Sequence, residues 1–158
     1  MSGPAPDRPH SGTLAAGRHR LPIRVYYEDT DAGGVVYHGN FVRFFERGRS
    51  EMLRMLGIDH AAAWRRADAD RRLGFAVRHM EIDFLAPAFL DDALTVHSEV
   101  EKVAAAYVDA RQWISRGADV VARARLRVAL IDSEGRPRRL PEDWRRRLEA
   151  VAAPETGT

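Results

Sequence analysis

Residues 40–57 read NFVRFFERGRSEMLRMLG. Phe41, Phe44, Phe45, Gly48, Met52, Met55 and Leu56 recur at helical spacing, while Arg43, Glu46, Arg47, Ser50, Glu51 and Arg54 fall on the opposite side. A stripe this broad and aromatic predicts a long amphipathic helix laid against a sheet, with Gly57 as its stop. The period then changes. GFAVRHMEIDFLAP, ALTVHSEVEKV, AYVDARQWIS and DVVARARLRVALID read as strands joined by short turns. The last is the plainest: Val120, Ala122, Ala124, Leu126, Val128 and Leu130 share one face, and Arg123, Arg125 and Arg127 the other. Strands in succession without intervening helices exclude a doubly wound α/β arrangement. The order is that of an α+β fold, an antiparallel sheet with one long helix on one face.

On the N-terminal side of the helix, LPIRVYYE alternates Ile23, Val25 and Tyr27 against Arg24 and Tyr26, which predicts a first strand. On its C-terminal side, HAAAWRRADADRR reads as a short helix or a loop. DSEGRP forms a turn after the last strand, and PEDWRRRLEAV a C-terminal helix with Pro141 in its first turn. The first twenty residues are rich in Gly, Pro and Ala and lack the apolar core of a secretion signal. The expected organisation is a disordered leader over 1–20, one domain over 21–132, and a C-terminal turn, short helix and tail over 133–158.

A chain of 158 residues and 17.8 kDa corresponds to one domain and buries a core without staples. It has no cysteine, which removes thiol nucleophiles, thiolate metal sites and disulfides together. Net charge is +2, Lys102 is the sole lysine, and acidic residues are interspersed with the arginines. That pattern argues against nucleic acid as a partner. The row of Arg123, Arg125 and Arg127 reads as a solvated or subunit-contacting sheet face. No apolar run approaches the ~20 residues that span a bilayer, so no membrane insertion is expected and the cytoplasm is the default location. His60, His79 and His97 lack metal-ligand spacing, and no metal is expected. Serine-hydrolase, zinc-protease and nucleotide-triphosphatase motifs are missing from the sequence.

The chemistry concentrates in VYYEDTDAGGVVYHGNF, residues 25–41. Glu28, Asp29 and Asp31 follow an apolar run, then Gly33 and Gly34, then Val35, Val36 and Tyr37 lead into the helix. Three readings fit these residues. One is a solvated acidic turn. A second is a metal or phosphoryl site, which wants further carboxylates after other strands; Asp91-Asp92 instead opens one. In the third, a carboxylate faces the free N–H groups of the helix start across a small-residue gap. A carbonyl held between them would have its oxyanion bound on one side and its nucleophile supplied on the other.

The stretch VYYEDTDAGGVVYHGNFVRFFERGRSEMLR, with its Tyr-x-x-x-Asp, Gly, His and Glu-Arg-x-Arg in register, resembles the signature of the 4-hydroxybenzoyl-CoA thioesterase branch of the hotdog-fold superfamily. It is most similar to the YbgC-like, Tol–Pal-associated acyl-CoA thioesterases. The resemblance is strong over residues 24–54 and weaker to about residue 132. It implies a hotdog fold, an antiparallel sheet wrapped around one long central helix. It also implies hydrolysis of an acyl thioester to a carboxylic acid and free thiol, with no cofactor beyond the CoA of the substrate. By the same resemblance Asp31 is the nucleophile or general base, and Asp29 is structural. The backbone N–H of His38 polarises the carbonyl, and Tyr27 accompanies them. Gly33, Gly34, Val35, Val36, Tyr37 and Asn40 then border the substrate. Active sites lie between subunits of a homodimer or a tetramer of paired dimers. There are departures: Gly39 and Phe41 replace the usual residues around Asn40, and KVAAAYV lacks the arginine and serine that contact CoA phosphates in some relatives. The carrier of the acyl group, CoA or acyl-carrier protein, is thereby left open. The alternative function is a non-catalytic hotdog module that binds acyl-CoA, acyl-carrier protein or an envelope-related protein.

Overall fold

Helix α1 (His38–Met55) runs across one face of a six-stranded antiparallel sheet in the computed structural model, which describes residues 7–153. The strands are β1 (Thr13–Ala15), β2 (Arg18–Arg24), β3 (Gly74–Phe84), β4 (Ala93–Val103), β5 (Tyr107–Arg116) and β6 (Asp119–Ile131), and two shorter helices are α2 (His60–Trp64) and α3 (Glu142–Glu149). Their order across the sheet is β1-β2-β4-β5-β6-β3. The chain thus leaves β2, passes through α1, and starts β3 at the opposite edge.

Aromatic side chains on one stripe of α1 account for its seating. Phe44 and Phe45 are fully buried and Phe41 nearly so, packed with Val96, Ile114 and Ala122. A Cβ on Gly48 would stand 2.7 Å from Val96 Cγ1, so the helix approaches β4 more closely than alanine permits. A polar pin crosses this contact. The buried Gln112 amide donates to Phe45 O and to Ser98 Oγ, each at 2.8 Å, and Arg49 Nη1 donates to Gln112 Oε1 at 3.0 Å.

All four strands expected after the helix are present, and β4 coincides with ALTVHSEVEKV. On the outer face, Arg123 pairs with Asp83 at 3.0 Å, Arg127 with Asp109 at 2.8 Å and Arg125 with Glu101 at 3.5 Å. The arginine row is therefore an ionic ladder that ties β6 to its neighbours β3 and β5 and, through Arg125, across β5 to β4. In β3 the register shifts between Val77 and His79, leaving Arg78 as a bulged residue.

Three expectations need correction. Residues 13–20 are not a leader: β1 and β2 form a hairpin whose second strand pairs with β4 from Arg18↔Glu99 to Arg24↔Ala93. His19 and Leu21 are buried there, and the turn at Ala16 and Gly17 takes positive φ at both residues. The Gly- and Ala-rich composition reflects that turn. Residues 1–6 lie outside the described residues. The first strand also ends at Arg24, and Tyr27–Asp29 is a 3-10 turn. Finally, the C-terminal segment is no appendage. Trp144 and Leu148 of α3 pack with Met52, Ile58 and Leu130, and Trp144 stacks on Phe75 at 5.6 Å. Pro141 is the residue before the helix, and residues 154–158 lie outside the described residues.

Candidate active site

Two ties hold the acidic loop against the start of α1. Asp29, buried, accepts from the Tyr26 N–H through Oδ2 at 2.8 Å, and its carbonyl accepts from the Tyr37 N–H at 2.9 Å. The same carbonyl accepts from the Asn40 side-chain amide at 2.8 Å. Asp29 thus fixes the loop, and Asn40 gives one amide N–H to it while also lining the cavity at the helix start. Val36 is likewise a strut, since its N–H donates to Ala88 O at 2.8 Å and its side chain is buried.

Asp31 sits at the tip of this loop, exposed. Its Oδ1 accepts from Gly33 N at 2.8 Å and from Val35 N at 3.4 Å. Both bonds end on Oδ1, and no protein donor among the described residues reaches Oδ2. Gly34 closes the turn with φ +83°, donating its N–H to Asp31 O at 3.1 Å. A side chain there would strain the backbone. The carboxylate is oriented by the loop yet keeps one oxygen available.

A polar cavity of about 340 Å³ opens where loop and helix meet, lined by Asp31, Tyr37, Gly39, Asn40 and Arg43, with Glu28 and Thr30 at its edge. Tyr37 is the N-cap, so the N–H groups of His38 and Gly39 have no intrahelical acceptor, whereas Asn40 N–H donates to Tyr37 O at 2.8 Å. A carbonyl oxygen in the cavity would meet the positive end of an 18-residue helix. The His38 ring lies off this cavity, against Tyr37 at 4.3 Å and Phe84 at 6.1 Å between centroids. Tyr27 is 82% exposed and also outside the lining. Of the residues singled out from sequence, the fold therefore brings Asp31, Tyr37 and Asn40 to one cavity, with Gly33, Gly34 and Val35 shaping the loop beside it. The imidazole of His38 and the ring of Tyr27 stand apart. Arg43 was missed, although it follows Asn40 by three residues on the same helix face. Phe84 comes from the far end of β3, which no local pattern reveals.

A larger, mostly apolar cavity of about 520 Å³ lies elsewhere, between the second half of α1, α2 and the sheet, with Leu53, Trp64, Phe75 and Val128 among its walls and Glu46 and Arg49 at α1. The two cavities share no lining residue, the polar one ending at Arg43 on α1 and the apolar one beginning at Glu46. Among the described residues, no group of three or more His, Asp or Glu is placed to hold a metal ion. None of the helices there is long and apolar enough to cross a membrane.

Comparison with known proteins gives a consistent picture. A family model described as the thioesterase-like superfamily matches residues 25–148. The chain is 41% identical over 112 residues to a Haemophilus influenzae protein named acyl-CoA thioesterase YbgC, covering 71% of this chain and 79% of that one. An Escherichia coli protein named acyl-CoA thioester hydrolase YbgC is 51% identical over 81 residues, 51% of this chain and 57% of its own length. Among solved structures, a probable thioesterase from Bartonella henselae superposes with a TM-score of 0.74 at 42% identity, over 78% of this chain and 99% of the other.

Proposed function

This chain belongs to the thioesterase-like superfamily, in the group of YbgC acyl-CoA thioesterases, and on that premise we propose that it hydrolyses acyl-CoA thioesters through Asp31 and the start of α1. The observation that carries the proposal is the meeting of an oriented, exposed carboxylate and an open helix N-terminus at one cavity. The thioester carbonyl oxygen lies at the free N–H groups of His38 and Gly39, which stabilise the charge developing on it. Asp31 attacks the carbonyl carbon, or takes a proton from an attacking water. Carbon–sulfur cleavage then releases the thiolate, which takes up a proton. On the first route one water hydrolyses the aspartyl anhydride to the free acid. On the second the attacking water has already supplied the acid's oxygen, and its proton passes by way of Asp31 to the thiolate. Tyr37 and the Gly33-Gly34 turn border the substrate, while Asp29, Val36 and Asn40 hold the loop from behind. No cofactor takes part beyond the CoA of the substrate, and the setting is the cytoplasm.

The enzyme works as a homodimer or a pair of dimers. Strand β3 is an edge of the sheet, and Val77, Phe84 and the adjacent Leu85 are exposed on it; an open apolar edge of this kind calls for pairing. Pairing also gives a use to the apolar cavity, which receives the acyl group from the neighbouring protomer's Asp31 site. Purified protein offered acyl-CoA thioesters of graded chain length, with thiol release as readout, tests the proposal. Turnover that requires Asp31 supports it. Binding of acyl-CoA with no thiol release from any of them sinks it and favours a binding module.

A further inference from the structure

The apolar cavity of about 520 Å³ has one charged group in its wall that an aliphatic occupant leaves unused. Arg49 enters it from α1, at the end where Gln112 and Ser98 pin the helix to the sheet. One N–H of Arg49 Nη1 donates to Gln112 Oε1 at 3.0 Å, and the rest of the guanidinium has no acceptor among the described residues. Neither carboxylate at the cavity wall answers it. Glu99 is held by Arg18 at 2.8 Å and Arg111 at 2.7 Å, and Glu46 takes the Ser50 hydroxyl at 2.7 Å. Burial lowers the Arg49 pKa from the ordinary guanidinium value, and the Glu46 charge works the other way. Arginine keeps its charge at neutral pH all the same. The cavity thus holds a partly desolvated cation with N–H groups to spare. Beyond Arg49 the wall turns apolar: Leu53 and Leu56 follow along α1, Trp64 and Phe75 face them, and Ala110 and Val128 line the sheet side. Arg49 to Leu56 is seven residues, about 10 Å at 1.5 Å per residue, which matches an extended chain of about eight carbons.

We propose that this cavity binds free fatty carboxylates, the product class of the reaction, with the carboxylate on Arg49 and the chain along Leu53 and Leu56. An acyl chain entering as a thioester brings no acceptor to Arg49, and a desolvated charge left without a partner is costly. The free acid supplies that partner, because carboxylate and guanidinium join in a bidentate, charge-assisted pair. Binding of the acid needs only this cavity. Its consequence for turnover rests on the thioester-hydrolase reading: a carboxylate lodged there fills the space of the acyl group, so accumulated product competes with substrate.

The test measures binding of octanoate and of 1-octanol to wild type and Arg49→Met by calorimetry, with hydrolysis of octanoyl-CoA followed alongside. Octanol carries the chain without the charge. Wild type is expected to bind octanoate about tenfold or more tighter than octanol, the worth of a charge-assisted pair. Arg49→Met removes that preference, weakening octanoate about tenfold and leaving octanol within about twofold. No measurable binding of octanoate, equal affinity for the two ligands in wild type, or an equal loss of both in the variant overturns the site. The comparison within wild type decides even if Arg49→Met, which also frees Gln112 Oε1, fails to fold. Octanoate is further expected to raise the apparent KM for octanoyl-CoA and to leave kcat within about twofold. Arg49-dependent binding with no effect on that KM would uphold the site and overturn the competition. Arg49-dependent binding by a protein that hydrolyses no acyl-CoA would count against the enzymatic reading alone.

Discussion

Asp31 and His38 stand seven residues apart, and the loop between them does the arranging. The Asp31 carboxylate is fixed through Oδ1 by Gly33 and Val35 N–H groups, while the His38 ring is turned toward Tyr37 and Phe84 and away from the cavity. The backbone of His38, not its imidazole, is therefore the group expected to matter. His38→Ala keeps that donor, so its activity on acyl-CoA should fall by less than about a hundredfold, since removing a true oxyanion donor costs ~10²–10³. A loss beyond about a thousandfold, with the acid limb of the pH–rate profile gone, would assign the chemistry to the imidazole. At this scale the placement was partly legible: Asp31 and Tyr37, singled out from sequence, line one cavity, and Gly33 and Gly34 shape the loop beside it. Asn40 was not. Its amide returns eleven residues to Asp29 O, and a sequence shows a side chain's chemistry without showing which partner has claimed it.

Elements were easiest to read where burial is one-sided. β4 alternates cleanly and β6 does so from Ala122 to Val128, and α1 carries its aromatic stripe on the face that meets the sheet, so pattern and packing agree there. Val120, by contrast, is exposed beyond the register shift opposite Ser115. The β1–β2 hairpin escaped because β1 is three residues long and exposed apart from Leu14, and because Ala16 and Gly17 look like linker composition. Gly48 shows the limit of propensity. Alanine there gains about 1 kcal/mol of helix propensity, yet its Cβ meets Val96 Cγ1 at 2.7 Å, and overpacking typically costs 1–3 kcal/mol. Gly48→Ala should therefore lower stability by about 1 kcal/mol net, read as a lower denaturation midpoint. A raised midpoint would mean that helix and sheet separate at little cost.

For the whole molecule, acid stability and assembly follow from groups outside the site. His97 lies flat on Trp113 with an interplanar angle of 5° and hydrogen-bonds Ser115 Oγ at 2.9 Å. Burial, then Arg20 and Arg18, push its imidazole down to about 4, and burial lowers His19 as well. The unfolded chain takes up these protons first, near the free imidazole value of ~6.5. Stability is thus expected to fall as pH drops from about 6.5 toward 4, with His97→Phe flattening the slope. A midpoint flat across that range contradicts the assignment. Asp132 acts lower: backbone N–H donation from Arg136, with further help from Glu134, Arg136 and Arg138, holds it down to about 2, so its contribution is lost only below about 4. Light scattering should give a multiple of 17.8 kDa, and a fully active monomer would contradict the shared site. The most direct test of the central claim is thiol release from acyl-CoA by wild type and Asp31→Asn, with folding checked by circular dichroism. Asparagine keeps the size of the side chain and its bond to Gly33 N–H but cannot serve as base or lasting nucleophile. The account predicts a folded protein with activity reduced more than a hundredfold, on the order of losing both catalytic roles; a folded variant within about tenfold of wild type would remove Asp31 from the chemistry.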